Sequence, residues 1–400
     1  MPLERPPLPV PAPRQVLADF GISYAATAFV AFLFACTGPV AIILAVGARG
    51  GLSESDIASW IFSAFCLNTL ISAACTLLYR QPLVFLWSIP GAVLVAPALA
   101  HSTFPEVIGA YMATGVLMLV LGLSGWMRRA MDAVPMPIVM AMVAGVFLRF
   151  GVDLVHAFRD DLWMALPMTL TFLGLSIRET RIPPLIGALL AGTAAMVVLG
   201  TFHPRAGPLF AFASPNFYVP AFSWSAMVEL VIPLAITVLA VQNGQGIAIL
   251  ASNGHRPPVN TITAACGAGS ILTGLFGAVS TCLTGPVNAI LSSSGERERQ
   301  YTAALCLCLF AMAFGLLAPF FTRLLLATPP AFIATLAGLA MLRVLQTAFT
   351  ASFSGKFSLG ALVCFLVTVA DVPIFRIGAA FWGLVFGLGT AWLLEREKRR

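Results

Sequence analysis

Residues 280–294 read S-T-C-L-T-G-P-V-N-A-I-L-S-S-S. The chain around them is apolar enough for a bilayer, yet this stretch is too short to cross one, and Thr284-Gly285-Pro286 interrupts its front half. Proline is at home in the first turn of a helix, so residues 286–293 read as a half-helix that begins near mid-membrane. The first backbone N–H groups of such a helix have no partner within it and point at whatever fills the space ahead. A second stretch, L-W-S-I-P-G-A-V-L-V-A-P-A-L-A at 86–100, repeats the theme: a hydroxyl at Ser88, then Pro90-Gly91, then a short apolar helix. One such break is an ordinary proline kink. Two, one in each half of the chain, form the pattern of a duplicated transporter whose broken helices hold an anionic substrate.

Composition supports the same class. The 400 residues are 59% hydrophobic and 10% charged, with a mean hydropathy of +0.95. Globular domains carry about 25% charge, so this is a polytopic all-α membrane protein. The net charge of +6 does not point to nucleic acid, because the basic residues sit at the ends of apolar runs. Of the eight cysteines, seven lie inside those runs and none forms C-x-x-C, so they read as small buried fillers. Cys282, just ahead of the break, is expected to line a cavity. The four histidines have no ligand spacing, so no metal or cofactor is expected. No nucleophile–base pair lies within the spans, which argues against an enzyme.

Residues 1–15 are proline-rich and read as a cytoplasmic tail, 16–200 as a first repeat, 201–223 as an external connector rich in proline, 224–394 as a second repeat, and 395–400 as a basic cytoplasmic tail. Each repeat holds seven segments, about fourteen in all, with half-helices at segments 3 and 10. Segment 1 is placed at about 20–46 and is loosened by Thr37-Gly38-Pro39. Segment 5, at 135–150, and segment 12, at 330–342, are expected to be short. Segment 8, at about 226–251, carries Gln242-Asn243-Gly244-Gln245-Gly246 in its middle, and such amides are costly in hydrocarbon unless bonded. The glycines of 258–278 are assigned to helix packing. With the N-terminus inside, only Arg49, Arg149, Arg159, Arg205, Arg323 and Arg376 of the 22 Lys and Arg face outward. An odd number of segments per repeat makes the two halves inverted relative to each other.

L-F-A-C-T-G-P-V-A-I-I-L (33–44), F-L-W-S-I-P-G-A (85–92), A-V-Q-N-G-Q-G-I-A-I-L (240–250) and T-G-P-V-N-A-I-L (284–291) together resemble the benzoate/proton symporter family, nearly end to end. More distantly the chain is similar to uracil/xanthine permeases and sulfate/anion transporters. The resemblance implies a bacterial inner membrane, a core domain of segments 1–4 and 8–11, a gate domain of segments 5–7 and 12–14, and substrate between the two half-helices. It admits a homodimer, which no residue decides. Nucleobase permeases carry carboxylates where this chain has Val241 and Pro286, which argues for an anion instead.

The expected substrate is benzoate or a related aromatic carboxylate, imported with protons. Its carboxylate is expected to meet backbone N–H groups near Ile89 to Ala92, a stretch that holds Pro90 and Gly91, and near Gly285 to Asn288, a stretch that holds Pro286 and Val287. Ser88, Thr284, Gln242, Asn243 and Gln245 add polar groups, Thr37 lies at the first break, and Phe32 and Phe34 receive the ring. An inorganic-anion or other organic-anion exchanger or channel of the same fold is the alternative. Glu229, Asp19, Asp153 and Asp371 lie near span ends and are expected to be solvated or interfacial. The proton is therefore expected to travel on the substrate, and coupling to survive Glu229→Gln.

Overall fold

The computed structural model describes residues 3–127, 135–177, 183–202, 211–293, 295–375 and 377–395. Expectations resting on Arg128, Arg129, the charged turn at 178–182, residues 203–210 of the connector, Arg376 and the tail at 396–400 lie outside these residues. Within them the chain makes fourteen apolar segments. Span 1 is Ile22–Arg49, span 2 Glu54–Tyr79, span 4 Phe104–Ser124, span 5 Met136–Asp160, span 8 Trp224–Ser252 and span 12 Pro330–Phe353. Spans 6, 7, 9 and 11 are Leu162–Ile177, Pro184–Leu199, Val259–Gly274 and Tyr301–Leu316, and spans 13 and 14 begin at Ser358 and Ala379.

The third and tenth segments are each a short strand followed by a short helix. Strand β1 (Phe85–Trp87) leads into a half-helix Ile89–Ala98, and β2 (Thr281–Leu283) into a half-helix Gly285–Leu291. The strands pair antiparallel, with Phe85 opposite Leu283 and Trp87 opposite Thr281. Each half-helix therefore leaves the ribbon in the opposite direction, as an inverted repeat requires.

Two bodies of helices surround this ribbon. Span 4 packs on spans 8 and 9, and span 1 on span 11, to form the core. Span 5 packs on spans 12 and 13, span 6 on 7, and span 13 on 14, to form the gate. Glycines draw spans 4 and 9 together: a Cβ on Gly122 would lie 2.5 Å from the Ala264 backbone nitrogen, and one on Gly267 2.4 Å from that of Leu119.

Three segments differ from their expected bounds. Span 1 is two helices, Ile22–Cys36 and Gly38–Arg49, because Pro39 restarts the helix after Thr37 rather than bending it. Span 5 runs on through Arg149 and Asp153, since these charges find partners: Arg149 pairs with Asp371 at 3.5 Å, and Asp153 with Arg49. Span 12 continues past Leu342 to Phe353, carrying Arg343 inside a helix rather than in a loop.

At the turn between spans 8 and 9, buried His255 bonds Gln300 through Nε2 at 2.8 Å. Burial holds its proton affinity below the usual histidine value of 6.5. The unfolded chain then binds the proton more readily, so the stabilisation from neutral His255 is full above about pH 6.5 and is lost as pH falls through the lower folded value. The melting temperature is expected to drop on acidification in that window, and His255→Gln to flatten the slope. An unchanged slope in the variant would remove His255 from this role.

Candidate functional site

A ribbon of two short strands inside a bilayer has edges that water cannot satisfy. Here side chains satisfy them. Ser72 on span 2 accepts the Phe85 N–H at 2.8 Å, and Ser270 on span 9 accepts the Thr281 N–H at 2.9 Å. These two serines occupy corresponding places in the two repeats. Asn243 on span 8 accepts the Leu283 N–H through Oδ1 at 2.8 Å. Asn288 accepts the Val84 N–H at 3.0 Å and donates to the Val84 and Thr284 carbonyls at 3.1 and 2.8 Å.

The ribbon sets the separation of the half-helices. The Ser88 N–H donates to the Ser280 carbonyl at one end, and the Thr284 N–H to the Val84 carbonyl at the other. Four residues at about 3.3 Å each place the two helix starts roughly 13 Å apart along the ribbon. Their positive ends face each other across it.

Ser88 Oγ accepts the Gly91 N–H at 3.1 Å, and the Ala92 N–H bonds the Ser88 carbonyl. Pro90 has no N–H, so Ile89 is left as the donor of the first half-helix without a partner in its own helix. Thr284 makes no side-chain cap, and the Asn288 N–H is taken by the Thr284 carbonyl, which leaves Gly285 and Val287.

A cavity of about 990 Å³ lies against this arrangement. That is at the upper end of the ~300–1,000 Å³ typical of small-molecule sites. Of the residues singled out in the sequence, it is lined by Phe34, Thr37, Ile89, Pro90, Gln242, Gln245, Thr284 and Pro286, together with Val241. Ser88, Gly91, Asn243, Gly285, Asn288 and Phe32 do not line it. The serine and the two asparagines are spent on backbone groups as described. Gly285 sits beneath Gln245, and a Cβ there would meet Gln245 Oε1 at 2.6 Å. Phe32 and Phe34 are two residues apart on one helix, about 200° around it, so they cannot share a face. Phe32 packs on Phe310 and Phe314, at ring distances of 5.7 and 6.0 Å. Cys282 is likewise turned away and fully buried.

The amides therefore divide by their bonding. Asn243 and Asn288 are saturated by the scaffold, whereas Gln242 and Gln245 have no hydrogen-bond partner among the described residues. Gln242 leaves a π-helical stretch, Thr237–Asn243, whose extra residue re-aims the side chains that follow it.

Among the lining residues not singled out from the sequence are Trp87 from β1, and Phe147, Phe172 and Arg343 from the gate. Arg343 is exposed at the cavity mouth, donates to Gln346 at 3.3 Å, and is the only charged residue among the described lining residues. The rings carried no local signal in a chain with 30 phenylalanines. Arg343 was hidden by the expectation that its helix had already ended.

The family model described as benzoate membrane transport protein matches residues 18–393. The chain is 26% identical to the Acinetobacter baylyi benzoate membrane transport protein over 386 residues, covering 95% of this chain and 97% of that protein. It is 28% identical to the Escherichia coli inner membrane protein YdcO, covering 90% and 92% of the two chains. In fold it is similar to the transmembrane domain of the cyanobacterial bicarbonate transporter BicA, with a TM-score of 0.61 at 14% identity, covering 92% of this chain and 99% of that one.

Proposed function

The chain belongs to the benzoate membrane transport protein family, and from that premise we propose that it imports benzoate or a close aromatic carboxylate together with a proton, by alternating access. It is a multi-pass membrane transporter, not an enzyme. The observation that carries the reading is the division of polar groups around the cavity. The buried asparagines are consumed by backbone, while two glutamines and the helix-start N–H groups are left facing a space walled by Phe34, Trp87, Phe147 and Phe172.

This set of groups suits a carboxylate on a ring. There is no carboxylate among the described lining residues, so nothing there repels an anion or offers a charged acceptor for a nucleobase N–H. Each helix terminus contributes about 0.3–1 kcal/mol towards an anion, and up to ~2 kcal/mol when partly buried. The seven-residue second half-helix adds less than a long helix. Burying the ring contributes roughly 1.5–3 kcal/mol, by analogy with a phenylalanine side chain. Carrying an anion into a negative cell costs about 2.3 kcal/mol per 100 mV, and one accompanying proton cancels that electrical work.

Orientation follows from the same reading. With both termini cytoplasmic, Arg343 is on the inner side, so the cavity opens inward. Arg343 then draws the substrate by charge alone. Arg343→Ala is expected to raise KM by up to about fivefold with kcat little changed, as an exposed charge is worth about 0.2–1 kcal/mol. High salt should erase the difference. A kcat effect that persists in high salt would give Arg343 another role.

The function is tested by uptake of labelled benzoate into proteoliposomes under a pH gradient. Ring-substituted benzoates are expected to compete and sulfate is not. Competition by sulfate alone would favour an inorganic-anion exchanger of the same fold.

A further inference from the structure

Glu229 is not solvated. It lies within span 8, is only 5% exposed, and bonds His101 Nε2 through Oε2 at 2.7 Å. Both residues belong to the core, since His101 follows the first half-helix. Gly378, at the head of span 14 in the gate, lies against the same carboxylate and leaves no room for a side chain: a Cβ there would lie 2.2 Å from Glu229 Oε1. The carboxylate thus sits on the seam between the two bodies that must move past each other.

A second cavity, of about 280 Å³, reaches Glu229 from the side remote from the substrate cavity, beside Pro97 at the far end of the first half-helix. Two arginines also line it, yet each has a carboxylate of its own: Arg49 pairs with Asp153, and Arg149 with Asp371. Asp371 faces Glu229 as a like charge. Thr368 and the Gly378 amide complete the polar groups around it. Neither arginine is therefore free to balance Glu229.

We propose that the His101–Glu229 pair is the proton-binding site of transport. The inference rests on the symport reading above and deepens it. With the outer side open, Glu229 is a carboxylate hydrogen-bonded to His101 Nε2. It takes one proton from the outer solution and becomes neutral overall. The outer side then closes over it, because a neutral hydrogen-bonded pair is far less costly to enclose than an unbalanced carboxylate. Glu229 holds the proton, and His101 is its positioning residue. This reverses the expectation that the proton rides on the substrate.

The test uses the whole protein in proteoliposomes, with a pH dye inside and labelled benzoate outside, and benzoate binding measured in detergent. Glu229→Gln is expected to bind benzoate within about twofold of the native chain while losing at least about tenfold in pH-driven accumulation and in the accompanying proton influx. Glu229→Asp should restore part of both. His101→Gln should shift the pH midpoint of uptake by about one unit or more, which a purely structural contact would not do. Glu229→Gln with native proton influx overturns the proposal. If that variant fails to assemble, an unshifted midpoint in His101→Gln overturns it instead. A native protein that accumulates benzoate with no proton influx overturns the symport reading and this inference together. Native coupling that survives in Glu229→Gln overturns the inference alone.

Discussion

Replacing Asn288 with leucine is expected to abolish benzoate uptake while barely changing side-chain volume. Asn288 serves three backbone groups at once: it accepts the Val84 N–H and donates to the carbonyls of Val84 and Thr284. Leucine serves none of them. Asn288 is fully buried, so no water replaces the lost partners. A buried donor or acceptor left bare costs about 1–3 kcal/mol, and the Val84 N–H has no other acceptor within the ribbon. Several such groups together approach the ~5–15 kcal/mol that separates folded from unfolded protein. The ribbon then loses its register and the two helix starts no longer frame one cavity. Uptake should fall at least about a hundredfold, with a lowered melting temperature. Native uptake and melting in Asn288→Leu would show that the ribbon does not depend on this side chain.

Gln245→Leu and Gln242→Leu are expected to show the opposite separation: affinity lost, stability kept. Neither amide has a partner among the described residues, so removing it orphans nothing in the scaffold. A hydrogen bond to a charged ligand group is worth about 1.5–3 kcal/mol, so each variant should bind benzoate roughly 10–150-fold more weakly. The melting temperature without ligand should be native. Gly285→Ala offers an independent check, because its new methyl group displaces the Gln245 side chain without altering its chemistry. That variant should fall between the native chain and Gln245→Leu. Native affinity in Gln245→Leu would place the carboxylate elsewhere in the cavity. Lost affinity together with lost stability would return Gln245 to the scaffold.

The contrast between these pairs of amides shows where sequence reading stops. Gln242, Asn243, Gln245 and Asn288 look alike along the chain: each is a polar residue in an apolar run. Which of them meets backbone and which meets the cavity depends on where the two strands lie: Asn288 meets Val84 of the other repeat, and Asn243 meets Leu283, 40 residues along its own. Ser72 and Ser270 were passed over for the same reason, since a serine on a membrane helix has no visible partner until the ribbon is placed beside it. Glu229 looked solvated because it lies near a span end. It is buried because Gly378, about 150 residues away, closes over it.

What the residues alone determined are the features that depend on neighbours in the chain. Hydropathy requires spans, because every backbone group must be satisfied within a bilayer. Pro90 and Pro286, each beside a glycine and following a hydroxyl residue, favour helix starts, because proline suits the first turn. The seven-segment repeat requires inversion. The contents of the cavity were decided only in three dimensions: Phe147, Phe172 and Arg343 come from the gate, and the fate of each amide follows from where the ribbon lies. Such contacts leave no periodicity behind them, since a hydrogen bond across hundreds of residues changes no local pattern.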